Sequence, residues 1–312
     1  MPAKKIKRKT RKLVSFDWAI KKLLRSKANY VVLEGFLSEL LNCDIKIIEI
    51  LESEGNKEDQ YDKYNRVDLL VKNEKDEIII IEVQYNYEYD FMLRMLYGTS
   101  KAITEHMQES KSFSEIKKVI SINIVYFDLG QGEDYVYHGT TNFIGLHKKD
   151  TLHLTTIQKE KLQKGEIFEL FPEYYLLKIN NFDDFAKDNL DEWVYFLKNE
   201  EIKPEFSAKG LKEAKEKLDI MKLSENDRRA YDRYMESLMY AASMAESVKV
   251  EAEEKIWRKG REEGIEQGVE QGVEQGIKEG QIIIAKSLLE DNMPIDKIIK
   301  HTGLSKEEIE KL

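Results

Sequence analysis

Apolar residues recur at helical spacing between Ala28 and Asn42, through Tyr30, Leu33, Phe36, Leu37, Leu40 and Leu41. This predicts a helix that Asn42 and Asp44 bring to an end. The β-branched run IKIIEILES then reads as a strand, and the polar EGNKEDQYDKYN as a loop. RVDLLVK is a second strand, NEKDE a turn and EIIIIEVQY a third strand, the pattern of an antiparallel meander. Helical spacing returns from Tyr87 to Glu109, through Phe91, Leu93, Met95, Leu96, Ala102 and Ile103. VISINIVYF follows as a buried strand, apolar on both faces. DYVYHGTTNFIGLHKK, TLHLTT and PEYYLLKIN add short strands. A meander followed by a helical crossover implies an α/β fold, with a mixed sheet and helices on its faces.

From Asn181 the strand pattern stops. FDDFAKDNLDEWVYFLKNEE and the stretch from Leu211 to Lys259 are helical in pattern. Gly260, Gly264, Gly268, Gly272, Gly276 and Gly280 then recur every fourth residue, with Glu and Gln between them. Each glycine costs a helix roughly 1 kcal/mol relative to alanine, so this repeat reads as a mobile linker in preference to a helix. The last segment regains helical spacing, with a capping box at Ser305 and Glu308 and a turn residue at Gly303. Its final helix, SKEEIEKL, is short and acidic, which favours a packing or oligomerisation unit over a DNA-reading helix. The chain thus divides into a basic tail (1–14), an α/β domain (15–180), a helical extension (181–258), the glycine repeat (259–281) and a small helix-turn-helix-like unit (282–312).

Composition narrows the setting. The 312 residues suffice for one sizeable core and a second region. One Cys and 5 scattered His argue against disulfides and against a cysteine-rich zinc site. No apolar run reaches the length of a membrane span, and the basic N-terminus lacks a signal peptide's apolar core, so a cytoplasmic protein is expected. The net charge of −9 opposes a surface uniformly coated for nucleic acid. The acid-free cluster Lys4, Lys5, Lys7, Arg8, Lys9, Arg11 and Lys12 could still bind phosphates, or simply be a solvated tail.

The candidate chemistry lies in the meander. Asp68 sits between Val67 and Leu69, and Glu82 follows four isoleucines. A carboxylate in such surroundings is costly unless paired or bound to a cation. Alternation places Glu82 and Gln84 on one face, and strand pairing can bring Asp68 opposite Glu82. Two adjacent carboxylates favour a shared proton or a divalent ion, and hard oxygen ligands suit Mg²⁺ or Mn²⁺. The alternative is a strand edge with exposed acids.

RVDLLV, a turn and IIIIEVQ together resemble the D…(D/E)-x-K signature of the restriction-endonuclease-like PD-(D/E)XK superfamily. More narrowly, the chain resembles the nuclease-type transposases also called recombination-promoting nucleases. VLEGFLSELL, RMLYGTSKAI, VISINIVYF, DYVYHGTTNFIGLH, DEWVYFLKNEE and the glycine-repeat tail extend the likeness over most of the chain. The resemblance implies an αβββαβ core and metal-dependent hydrolysis of DNA phosphodiesters. It implies Asp68 and Glu82 as metal ligands, with the Val83 carbonyl and an acid of the first helix, Glu34, as further ligands. Gln84 stands where the superfamily commonly has Lys. A neutral amide can orient water but brings no positive charge, which leaves open a catalytically weak protein that acts through DNA binding or oligomerisation. Glu34 lies about 100° around its helix from Leu33, at the margin of the apolar face. Arg94 could grip a DNA phosphate or pair with a core acid. The partners implied are DNA and a second copy of the chain through the C-terminal helices.

Overall fold

The structure is a computed structural model that describes residues 13–22, 24, 26–53, 68–107 and 112–312. Most of the basic tail and the EGNKEDQYDKYN loop lie outside the described residues, as do Arg66 and Val67.

Two helices open the described chain: α1 (Phe16–Lys22) and α2 (Tyr30–Leu41). The second matches the predicted helix, and Asn42 ends it in a left-handed conformation that asparagine tolerates well. The first was not foreseen. Strands β1 (Ile47–Ser53), β2 (Leu69–Asn73) and β3 (Ile78–Gln84) form the expected antiparallel meander. Helix α3 (Phe91–Glu105) carries the chain to β4 (Val119–Val125), which lies parallel to β3. After β5 (Val136–Gly139) and α4 (Thr156–Leu162), β6 (Glu173–Lys178) pairs parallel with β4 and antiparallel with β5. The six-stranded mixed sheet therefore runs β1-β2-β3-β4-β6-β5.

Strand alternation divides the core between two faces. Leu69, Val71, Ile79, Ile81 and Val83 join a large cluster with α1, α2 and the later helices, whereas Leu70, Ile78 and Ile80 pack with Ala102 of α3. Helices α5 (Asn189–Asn199) and α6 (Leu211–Lys217) belong to the large cluster through Trp193, Phe196, Leu211 and Ala214. Trp193 is sealed from solvent and meets the rings of Phe16, Phe36 and Phe196 at 5.6–6.2 Å. Burying each such ring contributes roughly 1.5–3 kcal/mol, and this knot fixes α1 and α2 against α5. Gly35 makes the approach possible: a Cβ there would stand 2.3 Å from the Lys209 carbonyl oxygen.

Helix α7 (Glu225–Glu290) begins within this first unit, which ends at Met239; the second unit covers Tyr240–Leu312. The glycine repeat, expected as a mobile linker, is helical throughout. The repeat continues a helix already formed on both sides of it, and flanking i,i+4 pairs such as Glu251–Lys255 add support. At its end Ala285 packs with Ile298 of α8 (Ile295–Thr302) and Ile309 of α9 (Lys306–Ile309). Ser305 and Glu308 form the expected capping box, and Gly303 takes the left-handed turn position with φ 75°.

Candidate active site

The β2–β3 ladder ends at the pair Leu69 and Ile81. Asp68 thus stands one residue before the strand, not inside it as expected. Beyond that rung, side chains continue what the backbone began. The Asp68 amide donates to Glu82 Oε2 at 3.2 Å, and the Val83 amide donates to Asp68 Oδ2 at 2.7 Å. Each carboxylate is thereby anchored on the neighbouring strand, and both residues are buried, at 5% and 6% exposure.

Among the described residues, cations from two helices approach the pair. Lys21 of α1 places Nζ 3.1 Å from Asp68 Oδ1 and 3.0 Å from Asp17 Oδ1. Arg94 of α3 binds Glu82 Oε1 through one nitrogen, and Glu88 through the other at 2.9 Å. Asp17 is buried, and its second oxygen accepts a hydrogen bond from the Tyr234 hydroxyl of α7. The resulting chain runs Tyr234, Asp17, Lys21, Asp68, Glu82, Arg94, Glu88.

Desolvation dominates the electrostatics. Burial pushes the Asp68 carboxyl up to about 6, with Lys21 opposing and Asp17 adding to the rise. Burial, followed by the charge of Asp68, pushes Glu82 up to about 8, with Arg94 opposing. Among the described residues of this network, the carboxylates Asp17, Asp68, Glu82 and Glu88 number two more than the cations Lys21 and Arg94. The hard oxygens of the central pair fit Mg²⁺ or Mn²⁺ in both charge and chemistry. Among the described residues no three His, Cys, Asp or Glu side chains converge as a ready metal cage.

The other expected residues divide. Glu34 does not join the pair. Its carboxylate accepts the Ile47 amide at 2.9 Å and meets Lys46 at 3.5 Å, so it ties α2 to the start of β1. The physical reason is that the unpaired N–H at the head of an edge strand needs an acceptor. Gln84 follows Glu82 on β3, but its amide donates to the Asn86 carbonyl at 3.4 Å. Arg94 takes the second of its two expected roles, pairing with a core acid. The sequence reading missed Asp17 and Lys21. Their signal was present, as an Asp and a Lys four residues apart within the largely apolar FDWAIKKLL.

The family described as PD-(D/E)XK nuclease family transposase matches residues 14–247. The chain belongs to this family. The match begins just before α1 and takes in the whole sheet, the paired carboxylates and the first part of α7. The mixed sheet with a long C-terminal helix is consistent with the PD-(D/E)XK nuclease fold, as the resemblance implied. Comparison with characterised proteins and with solved structures finds no match. No helix among the described residues is long and apolar enough to cross a membrane.

Proposed function

We propose that this PD-(D/E)XK family member is a divalent-metal-dependent DNA endonuclease with Asp68 and Glu82 at its centre, serving recombination or mobile elements. The observation that carries the reading is the reciprocal anchoring of two buried carboxylates at the open end of the β2–β3 ladder. Such a pair gains most from a cation that neutralises both groups at once.

Asp68 and Glu82 hold Mg²⁺ or Mn²⁺, and the carbonyl of Val83 serves as a further ligand. The bound ion supplies Lewis acidity at a phosphate and acidifies water. Gln84 orients the attacking water through its amide, once that amide leaves Asn86. Water adds to phosphorus, the ester P–O bond breaks, the departing oxygen takes up a proton and the attacking water gives one to solvent. Arg94 holds Glu82 in place, and its guanidinium is the group nearest Glu82 with which to meet a DNA phosphate. The basic tail adds salt-sensitive affinity for DNA. The α7–α9 cluster around Ala285 and Ile298 serves as the assembly unit for a second copy of the chain.

A second reading, a nuclease fold with weak catalysis that acts through binding or assembly, is favoured by one observation: the neutral Gln84 spends its amide on its own loop. Nicking of supercoiled plasmid with Mg²⁺ or Mn²⁺ separates the two. Wild type nicks, and Asp68→Ala and Glu82→Ala do not. Equal cleavage by all three proteins sinks the assignment to this site, and no cleavage by wild type with either ion favours the second reading.

A further inference from the structure

Gln84 brings no positive charge, yet hydrolysis of a phosphodiester builds negative charge that a fixed cation can stabilise. Among the described residues, Arg94 and Lys21 reach the carboxylate pair. Arg94 is forked between Glu82 and Glu88, and Glu88 is a third exposed, so its outer anchor lies at the surface. Lys21 is held differently. Its anchor, Asp17, is 2% exposed and is itself fixed by the Tyr234 hydroxyl. Its own side chain remains a quarter exposed while reaching Asp68. A compact ammonium on a flexible stem, braced from within and a quarter exposed, can turn from one partner to another without losing its place.

We infer that Lys21, braced by Asp17, is the substrate-facing cation of the Asp68–Glu82 centre and supplies the positive charge that position 84 lacks. This rests on the nuclease function proposed above. In the metal-free protein the ammonium neutralises Asp68. With a divalent ion held at Asp68, the ammonium would stay salt-bridged to Asp17 and face the phosphodiester, where it would offset the charge that develops on the phosphoryl oxygens. Lys21 and the divalent ion therefore compete for Asp68 during binding and cooperate during hydrolysis.

Those opposite signs make the test. In the full chain, Lys21→Met, Lys21→Arg and the charge-balanced double variant Asp17→Asn/Lys21→Met are compared with wild type and Asp68→Ala. Mn²⁺ affinity is measured by calorimetry without DNA, and plasmid nicking at saturating Mn²⁺. The expected result is that Lys21→Met binds Mn²⁺ a few-fold tighter than wild type yet nicks about 100-fold more slowly. Lys21→Arg recovers part of the nicking. The double variant, which keeps the net charge of the cluster unchanged if Lys21→Met alone fails to fold, also nicks slowly while still binding Mn²⁺. Wild-type nicking by Lys21→Met or by the double variant overturns the inference, as does loss of Mn²⁺ binding in the double variant. If Asp68→Ala binds and nicks as wild type does, the underlying nuclease reading fails instead.

Discussion

Glu82→Gln, in protein stripped of divalent ions, isolates the electrostatic cost of holding two carboxylates in the core. Burial pushes Glu82 up to about 8, whereas in the unfolded chain it titrates near the ordinary glutamate value. A carboxyl whose folded value is raised makes its full contribution to stability below the unfolded value. That contribution is lost as pH rises through the folded value. Each unit of displacement corresponds to about 1.4 kcal/mol, so wild type loses roughly 3–5 kcal/mol from this group between pH 4.5 and pH 8. Glutamine mimics the protonated acid and does not titrate. It still offers one oxygen to the Asp68 amide, while Arg94 keeps Glu88. The variant is therefore expected to match wild type near pH 4.5 and to exceed it by about 3 kcal/mol at pH 8, or roughly 6–12 °C for a unit of this size. Thermal unfolding in chelator across this pH range reads the difference directly, and titrating groups remote from the Asp68–Glu82 pair cancel in it. Saturating Mg²⁺ should then stabilise wild type at pH 8 and leave the variant nearly unmoved. A gap between the two proteins that does not widen from pH 4.5 to pH 8 would refute the reasoning.

Other sites give independent checks. Gly35→Ala forces a methyl group onto the backbone at Lys209 and Gly210, and urea unfolding should register a loss of about 3 kcal/mol or more as α2 is pushed off its partner segment. Tyr234→Phe removes the hydroxyl donated to buried Asp17 and should cost about 1–3 kcal/mol in the same assay, whereas no change would mean that Asp17 does not depend on α7. Ser305→Ala removes the cap of α9 and should cost that unit about 1 kcal/mol, seen as faster amide exchange at Glu308 with the sheet unaffected.

The meander and its carboxylates were legible because the relevant signals are local. Continuous runs of Ile, Leu and Val mark the strands, and an acid inside such a run stands out. Register then follows from the turn at Asn73–Glu77, which places Asp68 opposite Glu82. Helix α1 was not read because seven residues are too few for a clear period. Its Asp17 and Lys21 become chemistry only once the aromatic knot of Phe16, Phe36 and Trp193 holds the helix in place. Glu34 shows the limit of helical-wheel reasoning. Its angle placed it at the edge of the apolar face, but its height along α2 set it beside Ile47 and away from the carboxylate pair. The glycine repeat failed for another reason: propensity weighs residues singly and takes no account of the helix that already runs on either side of the repeat.

The claim that Asp68 and Glu82 form a metal centre is tested most directly by locating Mn²⁺ in crystals from its anomalous scattering. The account predicts one strong peak within about 2.0–2.6 Å of a carboxylate oxygen of each residue, accompanied by movement of Lys21 away from Asp68. Crystals soaked in saturating Mn²⁺ that show no peak at this pair, with Lys21 and Arg94 still seated on the two carboxylates, would contradict it.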